Sequence, residues 1–335
     1  MKNLYIIAIL LMAMGSIQAQ EMEEEVEETT TTEFSISGSV DAYFRNNFGS
    51  DFDAAPASSF ANLPGFALGM ANLVGSAEHG KVGMVADLVF GPRGADAVFG
   101  SGPSQNIVNQ LYAYWNVSDA TTITLGNFNT FLGYEVISPT GNFNYSTSYM
   151  FSYGPFSHSG LKVDFALSEG WSIMLGVFNP TDATDFNPTN EYAGGAQLGY
   201  DFGSGSAYLN TLVSDGFFQI DLTAGVDLSD AVYLGINATT NDDFSGAALY
   251  LQGALSDSFK LGVRGEYFND KTDVTGFLGA EENVFNFTIS GNYVVDNLTI
   301  IPELRFDSNS ADSFPDGDDL GSSLASFVLA AVYAF

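Results

Sequence analysis

The chain ends in SFVLAAVYAF, residues 326–335. Alternate positions Phe327, Leu329, Ala331, Tyr333 and Phe335 form one large apolar face, and Ser326, Val328, Ala330, Val332 and Ala334 form a small one. The last residues of a water-soluble domain are usually frayed and polar. A final strand that is apolar to its last side chain calls for a different surrounding.

The same two-residue period runs back through the chain. FSISGSVDAYF (34–44) sets Phe34, Ile36, Val40, Ala42 and Phe44 against serines, Asp41 and Tyr43. KVGMVADLVF (81–90), LKVDFAL (161–167), FQIDLTAGVDL (218–228), FKLGVRGEY (259–267), FNFTISGNYV (285–294) and LTIIPELRF (298–306) repeat the pattern. Such alternation fits either a sandwich, whose apolar face is the core, or a membrane barrel, whose apolar face meets lipid. The runs are about ten residues long, the length a tilted membrane strand needs, whereas soluble strands average about five or six. Tight links such as 78–80, 229–230 and 296–297 alternate mostly with longer ones such as 92–106, 134–157 and 308–323. Tight turns on one side and long loops on the other mark an outer-membrane barrel. The expected fold is therefore all-β, a transmembrane antiparallel up-and-down β-barrel of about 16 strands with both termini on the periplasmic side. Phe66–Ala77, Ala207–Val213 and Thr121–Phe131 show the weakest alternation.

Composition supports this reading. The chain is 46% hydrophobic and 14% aromatic, with no cysteine, which excludes disulfides and thiolate chemistry. Nine Lys and Arg stand against forty Asp and Glu, for a net charge of −31. Nucleic acid is not an expected partner, because binding it needs clustered cations. Residues 1–19 have the positive start, short apolar core and small-residue end of a signal peptide. Residues 20–33 form an acidic, low-complexity segment expected to be disordered, and 34–335 form the barrel. The expected location is the cell outer membrane, with lipid around the wall.

Several stretches carry a family resemblance: DLVFGPRG (87–94), LGNFNTFLGYE (125–135), NFNYSTSYMF (142–151) and GPFSHSG (154–160). On these the chain resembles the OmpL-like β-barrel porin family of Gram-negative outer membranes. The motifs cover roughly the first half of the mature chain. The resemblance implies a passive diffusion channel for small hydrophilic solutes and names no solute. Porins of this size are often homotrimers. The terminal strand with its Phe335 resembles the signal read by the barrel assembly machinery.

Parity assigns the pore-lining charges: Arg45, Lys81, Lys162, Lys260, Arg264 and Arg305 against Asp41, Asp87, Asp164, Asp221, Glu266 and Glu303. Six face six, so a nearly neutral, water-filled lumen is expected, with excess acid in loops, turns and the leader. Acid at the mouth implies a mild cation preference. The longest link, 134–157, is rich in aromatics and amides, including Asn142, Phe143, Asn144, Tyr145, Tyr149, Phe151 and Tyr153. Such a loop would not stand free in water, so it is expected to fold inward as a constriction. A packed extracellular cap is the bland alternative.

Other chemistry has little support. Acidic stretches such as DSFPDGDDL (312–320) read as solvated turns, and no metal or cofactor is expected. His158 lies beside Ser157 and Ser159, but neighbours along a strand point to opposite faces, so a lipid hydrolase is a remote reading. A plugged structural or adhesin barrel is the nearer alternative to a channel.

Overall fold

A computed structural model describes residues 31–49, 55, 58–102, 107–317 and 319–335. The expected signal peptide and most of the acidic segment lie outside the described residues. The wall is built by β1 (Glu33–Phe48), β2 (Gly65–His79), β3 (Val82–Phe90), β4 (Val108–Ser118), β5 (Thr121–Asn129), β6 (Ser157–Ala166), β7 (Trp171–Phe178) and β8 (Ala193–Asp201). It continues through β9 (Gly205–Ser214), β10 (Phe217–Ser229), β11 (Val232–Thr240), β12 (Phe244–Ser256), β13 (Phe259–Asp270), β14 (Glu282–Val295) and β15 (Leu298–Asn309). A two-stranded hairpin, β16 (Phe314–Asp316) and β17 (Asp319–Gly321), precedes the last wall strand, β18 (Ser323–Ala334).

The result is a closed barrel of sixteen antiparallel strands, each paired with its neighbour in the wall. Closure is made by β1 on β18, in a register running from Ser39↔Ala334 to Phe48↔Ala325. Phe335 extends it: its N–H donates to Gly38 and its carbonyl accepts from Gly38, both at 3.0 Å. No helix among the described residues is long and apolar enough to cross a membrane. The strands can do so, because every ladder group finds a partner around the ring.

The two faces of the wall differ as the alternation requires. Leu125, Leu198, Leu222, Leu249, Phe285, Leu304 and Tyr333 are exposed on the outside, while Asn210, Arg264, Glu266, Asn286, Thr288 and Ser326 are buried within. The three weakly patterned segments are all wall strands, and each has a physical reason for its mixed pattern. In β2, a register shift opposite Val40/Ala42 leaves Leu68 outside and Met70 inside. In β5 and β9 the inner face itself becomes apolar, because Phe128 and Leu212 join Leu132, Met174 and Phe178 in a cluster inside the barrel. Lys81 departs from the parity assignment. It lies in the two-residue turn between β2 and β3 and is exposed, so it is not a wall residue, and its carbonyl accepts from Asn116 at 2.7 Å.

An arginine on the outer face should be far costlier than one on the inner face. Leu251→Arg is expected to destabilise the barrel by about 2–4 kcal/mol in lipid vesicles. Thr122→Arg, on the inner face, should cost less than about 1 kcal/mol. Denaturant titration in vesicles measures both, and equal costs would contradict the assignment of faces.

Candidate functional site

The interior is organised by the link between β5 and β6, residues 130–156. It carries a 3₁₀ turn (Pro139–Gly141) and a short helix, Tyr149–Tyr153. Ser148 caps that helix, its hydroxyl accepting from Phe151 N–H at 3.1 Å. The link does not stand outside the barrel, because its backbone is bound to carboxylates of the wall. Glu303 accepts from Tyr145 N–H at 2.8 Å and Ser146 N–H at 3.1 Å. Glu266 accepts from Tyr149 N–H at 2.9 Å and Met150 N–H at 2.8 Å. Both acids are essentially fully buried. Without these acceptors the Tyr145 and Ser146 N–H groups and the orphan N–H groups of the first helical residues, Tyr149 and Met150, would be buried unpaired.

Two arginines bind the same stretch through its carbonyls. Arg264 Nη1 donates to Glu135 at 2.5 Å and to the Ser146 carbonyl at 2.8 Å. Glu135 in turn accepts from Ser148 N–H at 2.7 Å. Arg305 Nη1 donates to the Thr147 carbonyl at 2.7 Å, its Nε pairs with Asp307 at 2.9 Å, and its guanidinium lies 5.1 Å from the Tyr149 ring. The Tyr149 hydroxyl completes the group by donating to Asp307 at 3.0 Å. A carboxylate or guanidinium buried this deeply is tolerable only when paired and fully hydrogen-bonded, and the loop backbone supplies those partners.

The remaining loop residues settle against particular places in the wall. Tyr145 donates its hydroxyl to Asp41 at 2.5 Å, and burial together with that carboxylate holds the hydroxyl well above its ordinary pKa, so it stays a donor. Asn144 donates to Ser290 at 2.7 Å, and Asn142 closes a local turn by bonding both the N–H and the carbonyl of Val136. The Phe143 carbonyl accepts from Asn292 at 3.2 Å. Phe151 stacks on Phe156 at 4.9 Å, and Tyr153 packs on Phe268 at 5.7 Å. Gly235 and Gly262 give the loop room, since a Cβ there would collide with Tyr134 and with Phe143, respectively.

The other charges assigned by parity are also placed. Arg45 is buried and donates to Asn47, the Ala61 carbonyl and Ser326. Asp87 accepts from Asn72, Asn109 and Gln110. Asp221 accepts from Gly133 N–H at 3.0 Å, Asn210 at 2.9 Å and Asn237 at 2.7 Å. Lys162 pairs with Asp164 at 2.8 Å on the edge of a cavity of about 460 Å³. Lys260 lines a second cavity of about 510 Å³. Both cavities lie near the tight-turn end of the wall. Between loop and wall lies a small void of about 20 Å³, bordered by Gly133, Tyr134 and Phe151 on the loop and by Gln219, Asp221, Asn237 and Thr239 on β10 and β11.

Residues 33–335 match the family described as "Putative beta-barrel porin-2, OmpL-like". The chain belongs to that family. The match runs through the second half of the chain as well, where the sequence motifs had not reached. A comparison with curated proteins finds no match. Solved structures share the fold at low identity. Salmonella typhi OmpF, solved in complex with daunomycin, is 13% identical with a TM-score of 0.62, over 93% of this chain and all of that one. The outer-membrane OmpT of Vibrio cholerae is 12% identical with a TM-score of 0.59, over 93% of this chain and all of that one. A Rh. blastica porin mutant is 12% identical with a TM-score of 0.53, over 90% of this chain and all of that one.

Within this porin fold, four charged residues of the interior escaped the sequence reading. Asp270 and Asp307 lie just beyond the quoted strand segments, and continuing the parity would have found them. Glu135 opens the long link and gives no sign of facing Arg264, which is 129 positions away. Arg93 lies in the six-residue helix α1 (Pro92–Ala97) and is buried. It donates to the Ile137 carbonyl at 2.9 Å and covers the Phe60 ring at 4.3 Å. Burial lowers its pKa, with Asp41 opposing. His158 donates to or accepts from Thr130 at 2.9 Å, between the rings of Phe131 and Phe178, while Ser159 bonds Asn127 and the Thr184 carbonyl instead.

Removing a wall carboxylate should release the loop. Glu303→Ala leaves two N–H groups and the Ser290 hydroxyl without their acceptor and is expected to cost about 2–4 kcal/mol. The folded variant should be nicked by chymotrypsin within residues 143–153, where the parent is resistant. Resistance equal to the parent's would show that Glu303 does not hold the loop.

Proposed function

We propose that the chain is an outer-membrane porin, a passive diffusion channel for small hydrophilic solutes and ions with a mild cation preference. The observation that carries this reading is the narrow gap between the loop and β10–β11. Its polar border has one carboxylate, Asp221, and no lysine or arginine. A gap of about 20 Å³ holds roughly one water molecule, so solutes larger than a small ion pass as the loop yields. In this proposal residues 142–153 act as the constriction, and the wide cavities below it serve as the periplasmic vestibule. Lipid surrounds the outer face, Phe335 is the feature read by the barrel assembly machinery, and the assembly is a homotrimer.

A second reading has its own support. The complete burial of Arg264, Glu266 and Arg305 under the loop favours a plugged structural barrel without conductance. Planar-bilayer recording separates the two. The channel reading expects stepwise openings and a reversal potential of cationic sign across a salt gradient. Deleting residues 142–152 should raise the single-channel conductance, and Asp221→Asn should reduce the cation preference. A silent wild-type barrel would favour the plug, and clear anion selectivity would remove Asp221 from the passage.

A further inference from the structure

We infer that the vestibule lined by β11–β15 is a binding site for a small saccharide bearing one carboxylate, a uronate. It deepens the porin reading, but it rests on the cavity itself and not on conduction.

The cavity, about 510 Å³, has the size of a small-molecule site. Its lining mixes aromatic rings with amide, hydroxyl and ammonium groups. On the wall, Lys260 faces Asn292 directly across the β13–β14 ladder. Gln252 on β12 and Thr299 on β15 flank this pair. The roof is made by loop residues Tyr134 and Phe143, which press into the wall at Gly235 and Gly262. Tyr134 stacks on Tyr250 with ring centroids 4.1 Å apart, and its hydroxyl donates to Tyr233 at 3.2 Å. This fixes an aromatic surface above a row of amide, hydroxyl and ammonium groups. A pyranose ring needs that combination, an apolar face to cover and a rim of hydroxyls to hydrogen-bond.

Two residues that border the cavity each carry a buried polar atom with no partner among the described residues, the Tyr250 hydroxyl and Asn292 Oδ1. Buried polar atoms are nearly always satisfied, and here the side chain of Tyr250 is only 2% exposed. One of these atoms can donate and the other accepts, as a sugar hydroxyl requires.

The charge selects within saccharides. Eight of the nine Lys and Arg residues are described. Among those facing the lumen, Arg264, Arg305 and Lys162 pair with carboxylates, while Arg45 and Arg93 are buried and bonded to neutral groups. Lys260 alone is exposed there with neither an ion pair nor a hydrogen bond among the described residues. The one acid bordering the cavity, Glu135, is neutralised by Arg264 at 2.5 Å. The unopposed charge of the site is therefore one ammonium, suited to one carboxylate.

Calorimetry on the full-length mature barrel in detergent tests this with glucuronate, glucose and acetate as probes. Glucuronate should bind at least about tenfold tighter than either glucose or acetate, a difference of about 1.4 kcal/mol. Lys260→Gln should bring glucuronate down to the weak affinity of glucose, while Lys260→Arg should largely keep the tenfold advantage. Asn292→Ala should weaken both sugars severalfold. Heat-modifiable gel migration verifies that each variant is folded. No measurable glucuronate binding, equal affinity for glucose, or an unaffected Lys260→Gln variant would each overturn the assignment. Glucuronate binding by a barrel silent in bilayers would sink the channel reading and leave the site standing; conductance without binding would do the reverse.

Discussion

Everything in this molecule depends on the pairing of β1 with β18. An open sixteen-stranded sheet would carry two long edges of unpaired N–H and C=O groups, which hydrocarbon cannot satisfy. The ten-residue register from Ser39↔Ala334 to Phe48↔Ala325 removes those edges. Both ends of the chain contribute to it, so no part of the wall is complete until the last strand is made. The apolar finish of the chain follows directly. Leu329 and Tyr333 sit on the outer face of the closing strand, while Val328, Ala330 and Val332 pack inside against Tyr43 and Tyr145. The small face is small because the loop needs the room.

Closure creates a second problem, which is what fills the interior. A barrel of this size encloses far more space than wall side chains alone can fill. Here the fill is a polypeptide segment, and its backbone groups need partners as surely as those of the wall do. The wall supplies them as charges. Glu266 and Glu303 each accept a pair of adjacent N–H groups, and Arg264 and Arg305 donate to carbonyls between those pairs. The two bases bond the loop between the two acids, so opposite charges lie close together in the dry interior. This differs from the picture of lumen charges bathed in water. On the β13–β15 side they act as acceptors and donors for buried backbone, and water-facing chemistry is confined to the cavities around Lys162 and Lys260.

The wall was legible in the sequence because lipid and turn geometry act locally. Outward positions such as Leu249 and Phe285 must be apolar whatever lies inside, and tight turns such as 296–297 punctuate the strands. The inner face was less legible for the opposite reason. What Leu212 should be depends on a loop far away in the chain, and what Phe128 should be depends on where that loop turns after leaving β5, so β5 and β9 lose their alternation where the loop packs. The loop's aromatic content signalled that it must be covered, but not by what. Nothing near Glu135 indicates Arg264, and nothing near Tyr145 indicates Glu303, because those pairings exist only once the barrel has closed. Lys81 shows the limit of parity at strand ends, where one residue of turn decides between wall and solvent.

The same dependence explains why the two sides of the lumen differ. Along β13–β15 the loop is bound largely through backbone groups, which no substitution in the loop other than proline removes. Along β10 and β11 it makes two hydrogen bonds to the wall, Gly133 N–H on Asp221 and the Tyr134 hydroxyl on Tyr233, and Tyr134 packs against Gly235. If the loop yields anywhere, it yields there. The free energy holding it to Glu266, Glu303, Arg264 and Arg305 resists displacement from that wall, whereas the two hydrogen bonds on the β10–β11 side involve no charge pair and resist less. A passage opening on the β10–β11 side would therefore run past Asp221 and over Tyr134, whose ring borders both the gap and the cavity beneath it. In the proposed channel such a path would meet the Asp221 carboxylate beside the gap and, in the cavity beneath, the Lys260 ammonium, which has no ion pair among the described residues.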